Sequence, residues 1–194
     1  MKRIVLQEKL RELVPMTEQQ YAYVLSHFSC RQLKKKDYLY THGEICKYVV
    51  FCEEGCFRKF FLDTNGNEIV VEFNIEGYWI GDLHSRVNKV PTKFFFQALE
   101  DSTLQVAGVA DWDKLASEIP SLAEVRTKVE KRNHHADIEQ LMLQKYGTAE
   151  EKLDFLMKKL PGITNRIAGK YIASYLGIEP ESYSRLKNKL TRKT

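Results

Sequence analysis

The chain has 194 residues, 43% of them hydrophobic and 29% charged, with a formal net charge of +4. That length suits one large domain or two small ones and buries real cores. No apolar run approaches the ~20 residues of a membrane helix, and the opening Met-Lys-Arg-Ile-Val-Leu-Gln-Glu lacks the apolar stretch of a signal peptide, so the expected location is the cytoplasm.

The charge is unevenly placed. Residues 147–194 carry ten Lys/Arg against five Asp/Glu, whereas residues 1–146 carry twenty against twenty-one. A basic excess gathered at one end is the footprint of a nucleic-acid partner. Cys30, Cys46, Cys52 and Cys56 form no C-x-x-C pair, and without an export signal they are expected to be reduced.

Residues 1 to about 30 read as helical. Ile4, Leu6, Leu10 and Leu13 recur at helical spacing, as do Tyr21, Val24, Leu25 and Phe28, with Pro15 as the break. Thr17 is the expected N-cap of the second helix, with Gln20 at the capping-box position. From about 31 to 110 the period moves towards two. Ile69, Val71, Phe73 and Ile75 alternate with Val70, Glu72 and Asn74, and the runs 48–52, 56–62, 94–99 and 103–107 are rich in strand formers. Glu53-Glu54-Gly55, the stretch 63–67 and Glu76-Gly77 separate them, and Asn65-Gly66 is a hairpin signal. Many short strands at this spacing predict a β-roll or jelly roll. Cys52 and Cys56 flank the first of these turns, which leaves a redox pair open beside the plainer reading of small buried residues.

After Asp111, read as an N-cap, helix returns. Pro120 opens a segment to about residue 146 free of Gly and Pro, on which Leu122, Val125, Val129, Ala136 and Leu143 approximate a heptad seam. Ile138, Leu141 and Met142 lie on its other faces. Such a helix must be covered on more than one side, so it is expected to pack on the β domain and against a second copy of itself. His134-His135 are adjacent, about 100° apart on a helix, and chelate poorly. Gly147-Thr148 marks a junction, a helix follows to about residue 160, and Pro161-Gly162 ends it. Residues 163–169 have room only for a small hairpin or turn.

Residues 170–190 read as a helix-turn-helix. Ile172, Ala173 and Leu176 share one face of a first helix. Gly177 stands where a sharp turn needs a positive φ, and Pro180 where a second helix begins. Tyr183, Leu186 and Leu190 make the buried stripe of that second helix. Glu181, Ser182, Arg185, Asn188 and Lys189 make its polar face. Arg suits guanine O6/N7 and Glu suits cytosine N4, so Glu181, Ser182 and Arg185 are the expected base readers. Lys170, Ser184, Lys187 and Lys189 are the expected phosphate holders, and Arg192 and Lys193 add charge beyond them. The alternative is a helical hairpin with a solvated face.

The order of β-roll, long helix, small helical domain and helix-turn-helix resembles the Crp/Fnr family of bacterial transcription regulators over nearly the whole chain. The strings that carry the resemblance are His42-Gly43-Glu44, Glu54-Gly55, Gly77-Tyr78-Trp79-Ile80-Gly81-Asp82-Leu83, Gln97-Ala98-Leu99-Glu100-Asp101-Ser102 and the run from Lys170 to Ser182, the last similar to the version in Bacteroidetes members. The resemblance implies an α+β chain in three parts. They are a cyclic-nucleotide-binding-like roll with N-terminal helices over 1–118, a long dimerisation helix over 119–146, and a winged-helix-like helix-turn-helix domain over 147–194. It implies a homodimer on double-stranded DNA, half-sites about 34 Å apart, RNA polymerase as a further partner, and a small-molecule effector of unknown identity.

Members that bind cyclic nucleotides carry Gly-Glu and a later Arg-Ser or Arg-Thr in the roll. Here the cassette is degenerate: Gly81-Asp82, then Thr92-Lys93. A lysine does not reproduce a bidentate guanidinium fork, so cyclic AMP is not the expected ligand. Phe94, Phe95 and Phe96 are candidates to fill the space. No iron–sulfur cysteine cluster, cupin His-x-His, nucleophile elbow, Walker loop or His-Glu-x-x-His is present, so no catalytic residue, metal or cofactor is expected. The reading from another class is a small-molecule-binding or enzymatic jelly roll whose C-terminal helices mediate protein contacts.

Overall fold

The computed structural model describes residues 5–123 and 141–191. The expected seam positions Val125, Val129 and Ala136, the pair His134-His135 and the basic residues Arg192 and Lys193 lie outside the described residues.

Two N-terminal helices, α1 (Val5–Leu13) and α2 (Glu18–Ser26), lead into eight strands. The Thr17 hydroxyl accepts from the Gln20 backbone N–H at 3.2 Å, and the Gln20 side chain accepts from the Thr17 N–H at 2.9 Å, so the capping box forms as the sequence predicts. The strands are β1 (Ser29–Leu33), β2 (Tyr38–Tyr40), β3 (Tyr48–Glu54), β4 (Cys56–Leu62), β5 (Glu68–Ile75), β6 (Trp79–Ile80), β7 (Phe95–Ala98) and β8 (Ser102–Gly108). They make two four-stranded sheets, ordered β1-β8-β3-β6 and β2-β7-β4-β5. A short helix α3 (Leu83–Asn88) follows β6, and α4 (Val109–Glu118) follows β8. Gly108 takes the N-cap position of α4, so Asp111 is not the cap but lies in the first turn, where its charge still favours the helix N-terminus.

The period-two pattern sorts side chains between two cores. Val50 and Cys52 of β3 point inward with Phe57, Phe96, Ala98, Leu104 and Val106. Between them in sequence, Phe51 points outward, onto Leu6, Leu10, Tyr21, Val24, Leu115, Ile119 and Leu122. Leu122 is fully buried within this second cluster. It is a core residue of the chain rather than a seam residue open to a second copy, because the helical stretch begins against α1 and α2. Cys52 and Cys56 form no disulfide and are fully buried, which removes the access that a redox pair requires.

Two turns show how tightly the chain is drawn. The Asp63 carboxylate accepts from the backbone N–H groups of Asn65 and Asn67 and from the Asn67 amide, closing the β4–β5 hairpin around Gly66. These bonds hold the Asp63 carboxyl below the usual carboxylate range. Gly55, between β3 and β4, sits at φ +129°, and a Cβ there would lie 2.2 Å from the Ser102 hydroxyl oxygen.

The C-terminal helices are α5 (Ala149–Lys159), α6 (Ile163–Arg166), α7 (Gly169–Leu176) and α8 (Pro180–Thr191). Residues 141–146 are helical. Thr148 caps α5 through a second capping box, with Glu151 as its reciprocal partner. The stretch 163–169, where a small hairpin or turn was expected, opens with the one-turn helix α6. Among the described residues no strand follows β8. The chain divides into two compact units, one of residues 1–61 and 73–131, the other of 62–72 and 132–194. The hairpin tip between β4 and β5 therefore groups with the C-terminal helices, which nothing in the sequence announces.

Candidate nucleic-acid interface

The face of α8 is built from its buried side. Ile172, Ala173, Tyr175 and Leu176 of α7 are buried, and Tyr183 of α8 is 4% exposed, so the two helices close over a small apolar core. Gly177 ends α7 in the left-handed region, φ 72° and ψ 35°, where the Gly177 and Ile178 N–H groups return to Ser174 and Ala173 carbonyls. Pro180 opens α8 as the sequence predicts.

With Tyr183 turned inward, Glu181, Ser184, Arg185, Asn188 and Lys189 are exposed. Glu181, Ser184, Arg185 and Asn188 follow helical spacing, so they form one outward stripe. Ser182 is half-buried at the edge, and its hydroxyl accepts from Arg185 Nη2 at 3.2 Å. Ser184 donates to the Pro180 carbonyl at 3.1 Å. Asn188, on the polar face but not among the expected base readers, stands in line with Arg185. Its signal was the same spacing that selects Glu181 and Arg185.

The expected phosphate holders are dispersed and partly engaged. Lys170 is exposed, its ammonium 5.0 Å from the Tyr171 ring centroid. Lys187 donates to the Thr164 carbonyl at 3.0 Å, and Lys189 pairs with Glu150 at 2.9 Å. The Lys189 pair is more than a third exposed on both sides, so it exchanges cheaply for another anion.

The degenerate cassette is brought together in the roll, but its polar groups are spent on one another. Asp82 Oδ1 accepts from the Ser85 N–H at 3.2 Å and caps α3, while Oδ2 accepts from the Thr92 hydroxyl at 2.8 Å. Gly81 precedes this cap with φ +143°. Thr92 is 1% exposed, and its backbone pairs with Glu44 and Gly43. Lys93 points to solvent. Phe96 belongs to the core and Phe94 packs against it, with the Lys59 ammonium 4.3 Å from the Phe94 centroid. Phe95 is not a filler of that space: strand alternation puts it on the opposite face, stacked 5.0 Å from Phe60. Among the described residues no three His, Cys, Asp or Glu side chains gather as a metal site.

One chain thus carries a β-roll and a helix-turn-helix with an exposed polar stripe. No protein-family profile matches the chain. The chain is 25% identical over 167 residues to the transcriptional activator protein Anr of Pseudomonas protegens, covering 80% of this chain and 68% of that protein. Its fold is similar to FixK2 from Bradyrhizobium japonicum, with a TM-score of 0.72 at 19% identity over 86% of this chain and 85% of that one. It is similar also to a CooA mutant from Carboxydothermus hydrogenoformans, with a TM-score of 0.70 at 20% identity over 100% of this chain and 86% of that one. In sequence and in fold the chain is similar to transcription regulators of the Crp/Fnr type.

Proposed function

We propose that the chain is a sequence-specific transcription regulator that reads operator DNA with the outward stripe of α8. Glu181 and Arg185 contact base edges, with Ser182 steering Arg185 through its hydroxyl, and Lys170, Ser184, Lys187 and Lys189 hold phosphates. The observation that supports this is the exposure of Glu181 and Arg185 in one line on a helix whose other side is closed by Tyr183. The parts are the roll over 1–118, a dimerisation helix over 119–146 that meets a second copy through Val125, Val129, Ala136 and Leu143, and the DNA-binding domain over 147–194. Half-buried Leu143 beside exposed Leu141 and Met142 suits such a helix. The protein binds rather than catalyses, with RNA polymerase as a further partner. Among the described residues no helix is long and apolar enough to cross a membrane, in keeping with work in the cytoplasm.

The roll acts without cyclic AMP. A cyclic phosphate needs a free anion-pairing group, and here Asp82 and Thr92 satisfy each other while Lys93 faces solvent. Cyclic AMP is therefore expected to leave the thermal midpoint unchanged at concentrations where a true ligand raises it by mass action. A dose-dependent rise would overturn this part of the proposal.

The phosphate assignment is checked by anisotropy titration of a mixed-sequence duplex across salt concentrations. Lys187→Ala is expected to weaken every duplex alike and to make the logarithmic salt slope shallower by about one. The exchange is favourable because a phosphate replaces a neutral carbonyl, that of Thr164, as the ammonium's partner. An unchanged slope would remove Lys187 from the interface.

A further inference from the structure

Gly169 takes the first helical position of α7, and its φ lies outside the left-handed region. Backbone freedom is therefore not what the glycine supplies, and alanine would be the better helix former there. What it supplies is space. A Cβ at this position would lie 2.9 Å from Cε1 and 3.1 Å from Cδ1 of Tyr183 on α8, where carbon atoms prefer about 3.5–4.0 Å. The edge of the Tyr183 ring thus occupies the place of a side chain at 169. Neither side of the contact gives way easily. Tyr183 is a rigid ring, buried under α8. On α7, Ile172, Ala173, Tyr175 and Leu176 are buried. The Ser174 hydroxyl ties the same helix to residues 62–72 of its own compact unit, accepting from the Val70 N–H at 3.0 Å and donating to the Glu68 carbonyl at 2.8 Å. The Tyr183 hydroxyl, by contrast, is buried with no hydrogen-bond partner among the described residues, so shape alone places the ring.

We propose that Gly169 is a positioning residue for base reading: by leaving room for the Tyr183 ring it sets the depth at which α8 lies on α7, and with it the reach of Glu181 and Arg185. The inference rests on the base-reading proposal above. Glu181 and Arg185 stand two residues before and after Tyr183, about 200° round the helix from it, so a change that lifts the ring moves both together. Gly169 lies on α7, away from the outward stripe of α8, and acts only through Tyr183. The effect falls on discrimination because a hydrogen bond to a base edge tolerates little displacement. Contacts to phosphates tolerate more, since the long lysine stems of Lys187 and Lys189 re-aim their ammonium groups. The pairing is also reciprocal: a larger residue at 169 requires a smaller one at 183.

The test titrates the full-length protein, at one salt concentration, with the operator selected by wild type and with a mixed-sequence duplex. All titrations are run below the thermal midpoint of every variant. Gly169→Ala is expected to lower the ratio of the two affinities by about tenfold, the share of one well-placed base contact, while mixed-sequence affinity stays within about twofold of wild type. A glycine that served folding alone would lower the fraction of active protein and leave that ratio in place. Joining Tyr183→Leu to Gly169→Ala gives the added methyl room, and the double variant is expected to recover most of the ratio. Tyr183→Phe keeps the ring edge and removes the unpartnered hydroxyl, so it is expected to keep the wild-type ratio. An unchanged ratio in Gly169→Ala, no recovery in the double variant, or a fall in Tyr183→Phe would each overturn this inference and leave the base-reading proposal standing. Failure of wild type to select any operator would overturn the base-reading proposal, and this inference with it.

Discussion

Arg185→Ala is expected to lower affinity for the selected operator by about 1–3 kcal/mol and to relax the base preference at one position in each half-site. The reason lies in its setting. Arg185 is exposed on α8, and its Nη2 is held by the Ser182 hydroxyl at 3.2 Å, which limits the guanidinium to a few orientations before DNA arrives. A planar fork held in place loses less entropy on binding than a free one. Truncation removes both the contact and that preparation. Binding to mixed-sequence duplex should fall far less, since one phosphate-neutral arginine contributes little to the salt-dependent background. Ser182→Ala should show a weaker form of the same change, reduced discrimination with the guanidinium intact. Competition titrations with operator and random duplex at one salt concentration check both. Equal losses on the two duplexes would remove Arg185 from the base readers.

Gly55→Ala is expected to cost at least about 3 kcal/mol of stability, most of what a small domain has in reserve. Two penalties add. The backbone at φ +129° lies where side chains are strained, worth about 1–3 kcal/mol. The new Cβ would also meet Ser102 Oγ at 2.2 Å, Ser102 Cβ at 2.5 Å and Ser102 Cα at 3.0 Å, a contact with strand β8 that cannot yield by one rotamer change. Ser102 is itself 5% exposed and donates to the Glu100 carbonyl, so it has nowhere to go. Urea unfolding followed by Trp79 and Trp112 fluorescence reports the loss. Adding Ser102→Gly to Gly55→Ala removes the side-chain clash and leaves the strain, so the double variant should recover part of the loss only. A midpoint unchanged from wild type in the single variant would show that the turn is not drawn as described.

The two results differ in kind, and that separates folding from reading. Gly55→Ala should lower the unfolding midpoint and carry DNA binding down with it. Arg185→Ala should leave the midpoint in place, because an exposed helix position with alanine keeps its helical propensity.

What the sequence reveals and what it hides follow the range of the interaction. The capping boxes at Thr17 and Thr148 and the Gly177 turn before Pro180 involve residues three or four apart, and each is legible. The alternation in β3 and β5 shows two-faced strands, because period two survives whatever the partner. The α4 cap is misread for a local reason: Asp is a common N-cap, yet the turn begins at Gly108, and Asp111 is then placed in the first turn. Leu122 is misread for a longer-range one. A heptad stripe says that a face is covered but not by what, and at Leu122 the cover is α1, α2 and α4. In the candidate site, Glu181 and Arg185 are legible from helical spacing alone. The engagement of Lys187 by Thr164, of Lys189 by Glu150 and of Ser174 by β5 depends on segments 23, 39 and 104 residues away, which no local pattern encodes. The closed state of the cassette lies between. The loss of its arginine is visible in Thr92-Lys93, but the Asp82–Thr92 bond that takes its place is visible only in the fold.

The most direct measurement of the central claim is selection from a pool of random double-stranded DNA by the purified full-length protein, at fixed salt and without added ligand. The account predicts an enriched near-palindrome whose half-sites lie about one helical turn apart, with the preference at one position of each half-site lost in Arg185→Ala. A pool that stays random, with binding that only tracks salt concentration, would contradict it.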